Sequence, residues 1–450
     1  MNKLIFARVE LWVVLLIVLA GLLAMIGFGA VVLEGERKRD GFGRLGQTAV
    51  AIAEIPRTIK TLTEEDRRMA GFLPERFRDA PGGWTFFDDR HARPSGYVLL
   101  SRHDRAKGHH VVELVSLADG TIRHDWQIDA QALMAGTPGK ERFSQGSFAN
   151  QRSYRAIHPY LTPEGQLVIK DHQSYLMGLD GCARRLWVQD SFLAHHSTES
   201  DGAGGFWVPG QVQPHTIDEV PESFVEDTLV HVDGAGNILW QKSVPRIYLD
   251  HGMEHTLFTA GRYQPDPLHL NDIQPVLEDG PYWRKGDLFL SFRHTATVML
   301  YRPSSDEIVW MRQGPWLAQH DVDMIDDHRI AVFDNQAYDR GNGARIHGTN
   351  RIAVYDFATD EVSFPWAEAF EAADVKTVFE GLFTLLPEGG IFVEEENSGR
   401  ILILAPDGGV AAQFINKADN GLTYRLGWSR YMTQAEGDAA LAKLTTCTGG

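Results

Sequence analysis

The chain has 450 residues, of which 43 are lysine or arginine and 60 are aspartate or glutamate, so its formal net charge is −17. Nucleic-acid binding depends on basic side chains that neutralise phosphates, so this charge argues against DNA or RNA as a partner. With 43% hydrophobic and 23% charged residues, the composition is globular rather than disordered. Two cysteines, Cys182 and Cys447, are too few for a disulfide framework or a cysteine-rich zinc site, and the sequence leaves open whether they pair.

The amino terminus carries an apolar run without an ionisable side chain, LWVVLLIVLAGLLAMIGFGAVVL, over Leu11–Leu33. As a helix this run would be about 35 Å long, which is enough to cross a hydrocarbon core of about 30 Å. A buried core helix or a cleaved signal peptide is the alternative. The run is longer than a signal-peptide core, and no clear A-x-A cleavage site follows it. We therefore predict a single-pass membrane anchor. Basic residues flank both of its ends, so they do not indicate which end faces the cytoplasm.

The segment after the anchor contains TAVAIAEI and TIKTLTEEDRRMAGFL, which are typical of short amphipathic helices separated at Pro56. These helices could form a stalk near the bilayer surface, or equally a linker packed on the main domain. The sequence thus predicts five regions: a short tail (1–10), the anchor (11–33), a juxtamembrane helical stalk (34–83), a β-rich domain (84–435) and a carboxy-terminal tail (436–450).

From Trp84 onward the chain repeats β-rich runs separated by Gly or Asp turns. Clear copies are LTPEGQLVIKDHQSYLMGLDGCARRLWVQD from Leu161 and RKGDLFLSFRHTATVMLYRPSSDEIVWMRQ from Arg284. Asp-Gly and Gly-Gly between such runs favour tight hairpins, because a positive φ costs glycine little. We count six units of about four strands each, which predicts an all-β, six-bladed β-propeller behind the transmembrane helix. Seven or eight blades are the nearest alternatives, and a β-sandwich fits the regular hairpins less well.

The chain has 18 histidines, and several polar residues lie next to β-rich runs in different repeat units. They are His195, His196, His269, Asn271, Arg293, His294 and His320. Each of them alone is more often a structural residue than a functional one. Equivalent positions of propeller blades converge on the central axis, however, so these residues could meet there despite their distance in sequence.

Four segments resemble the motifs of the arylsulfate sulfotransferases: HH…DG…WV, HLND, SFRHTATV and QHDVDM…IAVFDN, within roughly residues 150–435. Members of that family are bacterial, largely periplasmic enzymes on six-bladed propellers. They move a sulfuryl group between phenols through a sulfohistidine, without a nucleotide sulfate donor. The resemblance implies that His320 is the nucleophile and that His196, His269 and Arg293 support it. It further implies an aryl sulfate donor, a phenolic acceptor, no cofactor, and a propeller on the periplasmic side of a bacterial inner membrane.

The chemistry asks for these residue types independently. A neutral imidazole can attack as a covalent nucleophile, and an arginine offers a fixed fork of donors to sulfate oxygens. A phenol has a pKa of about 10, so a proton carrier helps it to leave or attack, and His196 or His269 could serve. Asp321 could orient the ring of His320 or face solvent. Predicted substrate contacts are Asn271, His195, His294 and Trp316, the last by stacking on an aromatic ring, although core packing is the default for a tryptophan.

Two other interpretations remain open. HDVD and HHSTESD could supply ligands to zinc or calcium, but neither H-E-x-x-H nor EF-hand spacing is present, so we predict no metal. A non-catalytic propeller is the alternative function. It would bind a partner, a glycan or a small anion as an accessory subunit of a membrane complex.

Overall fold

The structure is a computed structural model that describes residues 10–37, 42–63, 69–137, 154–261 and 263–444. Nearly all of the predicted tail 1–10, and Cys447 in the predicted tail 436–450, lie outside the described residues. The chain divides into two units, Met1–Arg68 and Met69–Gly450. Each unit is described below by itself.

The first unit consists of two helices, α1 (Leu11–Arg37) and α2 (Gly43–Thr63). Within α1, Leu11–Gly35 is long and apolar enough to cross a membrane by its length and composition, and its side chains are not buried in the protein. The predicted break at Pro56 is absent, and α2 runs through it as one helix. A proline inside a helix removes one hydrogen bond and commonly kinks the helix without ending it.

The second unit is an all-β, propeller-like arrangement of antiparallel sheets. Three sheets have four strands each. The first contains β27 (Arg430–Met432), β2 (Tyr97–Asp104), β3 (His109–Ser116) and β4 (Ile122–Gln127), and the second contains β13 (Leu270–Pro275), β14 (Leu288–Phe292), β15 (Thr297–Arg302) and β16 (Glu307–Gln313). The third contains β17 (Val322–Met324), β18 (Arg329–Asp334), β21 (Arg351–Asp356) and β22 (Glu361–Ser363). A fourth sheet has five: β1 (Gly83–Phe86), β26 (Val410–Ile415), β25 (Arg400–Leu404), β24 (Ile391–Glu395) and β23 (Leu382–Leu385).

The remaining strands form an eight-stranded sheet and a short hairpin. The sheet contains β5 (Tyr160–Leu161), β6 (Leu167–Ile169), β7 (Ser174–Leu179), β8 (Arg185–Ala194), β9 (Glu199–Ser200), β10 (Phe206–Gln211), β11 (Asp227–Val232) and β12 (Ile238–Ser243). The hairpin is β19 (Ala337–Tyr338) and β20 (Arg345–Ile346). Short helices lie between or after the sheets: α3 (Ala130–Met134), α4 (Val244–Asp250), α5 (Glu254–Leu257), α6 (Ala367–Ala372), α7 (Gln434–Leu441) and a 3-10 turn, Glu396–Ser398.

The number of separate blades differs from the prediction of six. The described residues contain four separate blades, and one eight-stranded sheet replaces the other two. The reason is β8, a strand of ten residues that pairs with β7 and whose last two residues, Leu193 and Ala194, pair with Gln211 and Gly210 of β10. This pairing joins two hairpin units through main-chain hydrogen bonds.

The hairpin turns form as their residues demand. In the turn between β11 and β12, the Asp233 carboxylate accepts the backbone N–H groups of Ala235 and Asn237, each at 2.9 Å. Gly236 adopts a φ of +81°, which a residue with a Cβ atom rarely takes. Such turns let each β-rich run fold back on its neighbour.

Apolar cores lie between neighbouring sheets. Strands in the middle of a sheet are covered on both faces. All five residues of β14 are buried, whereas those of the outer strand β16 are half-buried or exposed. Separate clusters of buried side chains pack sheet on sheet, and one of them, with Val168, Phe192, Phe206 and Val230, packs the two halves of the eight-stranded sheet together. The candidate site lies outside these apolar cores, in the loops that precede edge strands.

Candidate functional site

Loops that precede edge strands of different sheets hold the candidate side chains. His196 precedes β9, His269 precedes β13, His320 precedes β17 and Glu380 precedes β23. His196, His269 and Glu380 have left-handed backbone conformations, with φ of 47°, 59° and 55°. Such angles are uncommon for residues other than glycine and are concentrated at functional sites.

These loops enclose one cavity of about 270 Å³. The predicted residues His195, His196, His269, Arg293 and His320 all line it. The remaining lining residues were not predicted: His172, Gln173, Gln211, Asp227, Asp266, Phe379 and Glu380. The geometry therefore brings together the four residues for which the resemblance implies a role in catalysis.

His320 is buried, and its hydrogen bond to Asn335 determines which of its ring nitrogens carries the proton. The Asn335 amide group donates to the Glu380 carbonyl at 2.7 Å and to the Thr377 carbonyl at 3.2 Å, so its oxygen accepts the N–H of His320 Nδ1 at 2.8 Å. Nε2 therefore carries the lone pair, and it accepts the backbone N–H of Glu380 at 2.9 Å. Burial, helped by the positive charge of Arg293, lowers the pKa of His320 to about 3, so the ring is neutral at pH 7.

Asp321 does not orient His320, in contrast to the sequence-based suggestion. Its carboxylate accepts the backbone N–H of Phe383 at 3.0 Å instead. Asn335 has the orienting role.

His196 lies at the centre of the imidazole cluster. Its ring centroid is 4.4 Å from that of His172, 5.1 Å from those of His195 and His269, and 6.2 Å from that of His320. Burial and the neighbouring imidazoles lower the pKa of His196 well below its ordinary value. Of the two adjacent histidines, His196 is the one whose ring contacts those of His172, His269 and His320.

His195 lies behind His196 and holds it. The two Nδ1 atoms are 2.9 Å apart, so one ring donates to the other, and His195 Nε2 is 3.3 Å from an Asp227 carboxylate oxygen. The other oxygen of Asp227 accepts the backbone N–H of Leu270 at 2.8 Å. Asp227 thus links the pair of histidines to the loop that carries His269.

His269, Asp266 and His294 form a second group at the edge of the cavity. His269 Nδ1 is 2.5 Å from an Asp266 oxygen, and the rings of His269 and His294 stack with centroids 4.5 Å apart. The His nitrogens and the carboxylate oxygen of this group lie within 4.8 Å of one another, a spacing compatible with a metal ion. Asp326, Asp327 and His328, in a turn, have the same spacing. In the group at the cavity, His269 Nδ1 already hydrogen-bonds to the Asp266 carboxylate, and His294 Nδ1 hydrogen-bonds to the Asp266 backbone carbonyl.

Arg293 supplies positive charge to the cavity. It forms no salt bridge with the described residues, and its Nε is buried without a hydrogen-bond partner among them. Its Nη1 is 3.1 Å from His294 Nε2, and its guanidinium carbon lies 5.0 Å from the centre of the Phe379 ring. Burial lowers the pKa of Arg293, but an arginine remains a cation at pH 7. A half-buried cation in the cavity wall, without a carboxylate partner among the described residues, is suited to bind an anion.

His172 and Glu380 form a pair that sequence reasoning missed. His172 Nε2 is 2.5 Å from a Glu380 carboxylate oxygen, and Arg155 Nη2 is 3.2 Å from the same oxygen. Although burial favours the neutral acid, Arg155 and His172 hold the pKa of Glu380 well below its ordinary value. Burial lowers the pKa of His172 to about 4. At pH 7 the pair is a carboxylate and a neutral imidazole.

Three predicted substrate contacts, Trp316, Asn271 and His294, are not part of the cavity lining. Trp316 is 1% exposed, packs in the core between two sheets and donates its indole N–H to the Ala296 carbonyl at 2.9 Å. Its ring has no face left for a substrate. Asn271 is fully buried and donates to the Gln319 carbonyl at 2.8 Å, so it holds the loop of His320 in place. His294 reaches the cavity only through its contacts with Arg293 and His269.

Comparison with known proteins gives one family. The arylsulfotransferase (ASST) family matches residues 168–417, more than half of the chain. No curated protein matches the sequence. Similar solved structures include a protein of unknown function from Bacteroides caccae (12% identity, 74% of this chain and 98% of that chain, TM-score 0.46). They also include TolB from Acinetobacter baumannii (10%, 75% and 66%, 0.40) and the Pan2 WD40 domain from Neurospora crassa (10%, 78% and 93%, 0.38).

Proposed function

Because this chain belongs to the arylsulfotransferase family, we propose that its histidine cavity moves a sulfuryl group from an aryl sulfate to a phenolic or other hydroxyl acceptor through a bond to His320. In the first half, His320 Nε2 attacks sulfur while the S–O bond to the aryl group breaks and a phenolate leaves. In the second half, the acceptor oxygen attacks the same sulfur and the S–N bond breaks. Sulfuryl transfer parallels phosphoryl transfer, in which catalysis depends on positioning and on stabilising charge on equatorial oxygens.

One observation carries this proposal: a neutral histidine and an arginine free of salt bridges to the described residues line the same cavity. The nucleophile needs a lone pair on a nitrogen that faces the donor, and the hydrogen bond to Asn335 leaves that lone pair on His320 Nε2. Arg293 provides donors for the sulfate oxygens. His196 and His269 would contact the same group from the other side of the cavity.

The resting state contains one obstacle to attack. The backbone N–H of Glu380 occupies the lone pair of His320 Nε2 at 2.9 Å. Attack requires this hydrogen bond to break, at a net cost of about 1 kcal/mol. Binding of a sulfate at Arg293 would offset that cost, because the sulfate brings charge-assisted hydrogen bonds to the guanidinium.

Phe379 is the aromatic contact in place of Trp316. It lines the cavity and is 39% exposed, and its ring already lies against the Arg293 guanidinium. An aryl sulfate has an apolar ring next to an anionic group. Phe379 and Arg293 offer matching partners for both parts.

The test is mass analysis of the trapped enzyme. The purified full-length chain in detergent is mixed with 4-nitrophenyl sulfate without acceptor, quenched, and digested. We expect a burst of nitrophenol close to one per enzyme and one sulfuryl group on the peptide that contains His320. His320→Asn should abolish both signals. His231→Gln is the matched control, since His231 lies outside the cavity and pairs with Asp201.

Two results would contradict the proposal. A sulfuryl group on the His196 peptide would move the nucleophile to the neighbouring ring. Tight binding of the aryl sulfate without nitrophenol release from any donor would favour the non-catalytic binding protein.

We further propose that α1 anchors the chain in a bacterial inner membrane with the propeller in the periplasm. This side of the membrane follows from the resemblance to a family that is largely periplasmic. In spheroplasts, an added protease should digest the propeller unit. Protection of the propeller unit from the protease would place it in the cytoplasm. Purification in mild detergent would show whether other membrane-complex subunits accompany the chain.

A further inference from the structure

The proposed reaction does not yet use the pair of His172 and Glu380. His172 lines the cavity, its side chain is 23% exposed, and its ring contacts that of His196 at 4.4 Å. Glu380 is held in place by Arg155, whose two terminal nitrogens reach Glu380 and Glu396. A histidine beside an ionised, anchored carboxylate is the arrangement that enzymes use for general bases.

The protons of this pair can be assigned. The Glu380 carboxylate is ionised, so the short contact at 2.5 Å is a hydrogen bond donated by His172 Nε2–H. The imidazole is neutral, so its second nitrogen, Nδ1, carries a lone pair. Nδ1 forms no hydrogen bond with the described part of the chain, and it is not among the enclosed, unpartnered atoms. A hydroxyl group in the cavity could therefore donate to it.

Of the other imidazoles of the cavity, His195 and His196 share a hydrogen bond between their Nδ1 atoms, and His320 is the proposed nucleophile. His269 resembles His172, since its Nδ1 is bound to the Asp266 carboxylate. Among the described residues, however, no arginine pairs with Asp266, whereas Arg155 anchors Glu380. His172 combines an open nitrogen with an anchored carboxylate partner.

We propose that His172 is the general base of the acceptor half-reaction and that Glu380 is its positioning residue, an inference that rests on the proposed function. His172 Nδ1 takes the proton of the acceptor hydroxyl as the acceptor oxygen bonds to sulfur. The S–N bond to His320 breaks and its electron pair returns to Nε2. The proton then passes from His172 to water, or to the phenolate released in the donor half. Glu380 stabilises the imidazolium that forms in between.

This role predicts that the two half-reactions respond differently to the loss of His172. In His172→Gln the amide N–H can still donate to Glu380, while the base is gone. The nitrophenol burst measures the donor half alone and should stay within about threefold of the wild-type rate. Acceptor-dependent turnover should fall about 100-fold with weakly acidic acceptors such as 4-methylphenol, in the range of general-base catalysis. The loss should be several-fold smaller with 4-cyanophenol, which is more acidic and needs less help.

The control and rescue experiments separate this role from a structural one. His231→Gln should leave both halves unchanged. His172→Ala should recover turnover when imidazole is added, with little effect of imidazole on the wild type. Glu380→Gln should show the same dependence on acceptor acidity in weaker form. These measurements do not depend on one variant folding well.

Several outcomes would overturn the inference. An equal loss of the burst and of turnover, a loss independent of acceptor acidity, or normal turnover in His172→Gln would each do so while leaving the sulfohistidine in place. Failure of the proposed function has a different signature, because the wild-type enzyme would then show no burst at all.

Discussion

The charge of the cavity is set by burial and not by the number of its histidines. Five imidazoles line it, yet burial lowers the pKa of His172 to about 4 and that of His320 to about 3. Water is a better solvent for an imidazolium than a packed interior, so these rings stay neutral. Arg293 is left as the fixed cation of the lining. A sulfate therefore meets one fixed cation, Arg293, in a wall that also holds the ionised carboxylates of Glu380 and Asp266.

The activity should tolerate acid better than that of an enzyme with an ordinary histidine nucleophile, whose pKa is about 6.5. Since the neutral ring is the active form and its folded pKa is lowered, activity is lost only as the pH falls toward that lower value. We expect kcat/KM for 4-nitrophenyl sulfate at pH 5 to be at least half of that at pH 7.

The measurement needs a check that the protein stays folded. The unfolded chain takes up histidine protons near pH 6.5, whereas the folded chain does so near pH 3 to 4. Stability therefore falls as the pH drops through this window, and thermal unfolding should be followed in parallel. A tenfold loss of kcat/KM at pH 5 in a fully folded enzyme would contradict the prediction.

Phe379 and Trp316 should separate binding from stability. Phe379→Leu should raise KM for aryl sulfates about tenfold, since it removes a half-exposed aromatic contact, with little change in stability. Trp316→Ala should destabilise the fold by about 3–5 kcal/mol, since it empties a buried site, with KM unchanged in the remaining folded protein. Kinetics and urea unfolding measure the two effects. A raised KM in Trp316→Ala would restore its predicted role in substrate binding.

At the scale of the elements, α7 is fixed by its approach to β2. The Tyr97 hydroxyl donates to Asp438 at 2.6 Å, and a Cβ atom at Gly437 would lie 2.1 Å from Tyr97 Cδ2. Gly437→Ala should therefore push α7 away and cost about 1–3 kcal/mol, as overpacking does. The exposed Ala439→Ser in the same helix is the control, with a change below about 0.5 kcal/mol. Urea unfolding gives both values, and equal stability of the two variants would refute the role of Gly437.

The elements also show what a sequence can predict. Asp and Gly turns between β-rich runs are local signals, so the propeller-like, all-β character of the main unit follows from them. The pairing of Leu193 and Ala194 with β10 is not local, and it changes the blade count. Hairpin patterns say which runs are neighbours but not where a sheet ends.

The same limit holds in the site. His196, His269, Arg293 and His320 could be selected because they lie beside strands, within segments that resemble the motifs of the family. His172 and Glu380 also lie beside strands but outside those segments, and only the folded chain brings their side chains to 2.5 Å from each other. Trp316 was assigned wrongly because its sequence position does not distinguish a cavity wall from the core behind it.

At the scale of the whole molecule, every residue of the cavity belongs to the second unit, Met69–Gly450. Removal of residues 1–68 should therefore release the enzyme from the membrane and keep kcat/KM within about twofold. Fractionation and nitrophenol release measure the two effects. A folded but inactive product would show that the first unit contributes to the site.

The two ends of the propeller unit are interlocked. β1 pairs with β26, and the last strand, β27, pairs with β2. A chain that emerges from its amino terminus cannot form either pair until residues beyond 410 are free, so the ring closes late and in one step. On the periplasmic side proposed above, the chain would therefore cross the membrane before its ring closes, in the unfolded state that a narrow translocation channel accepts.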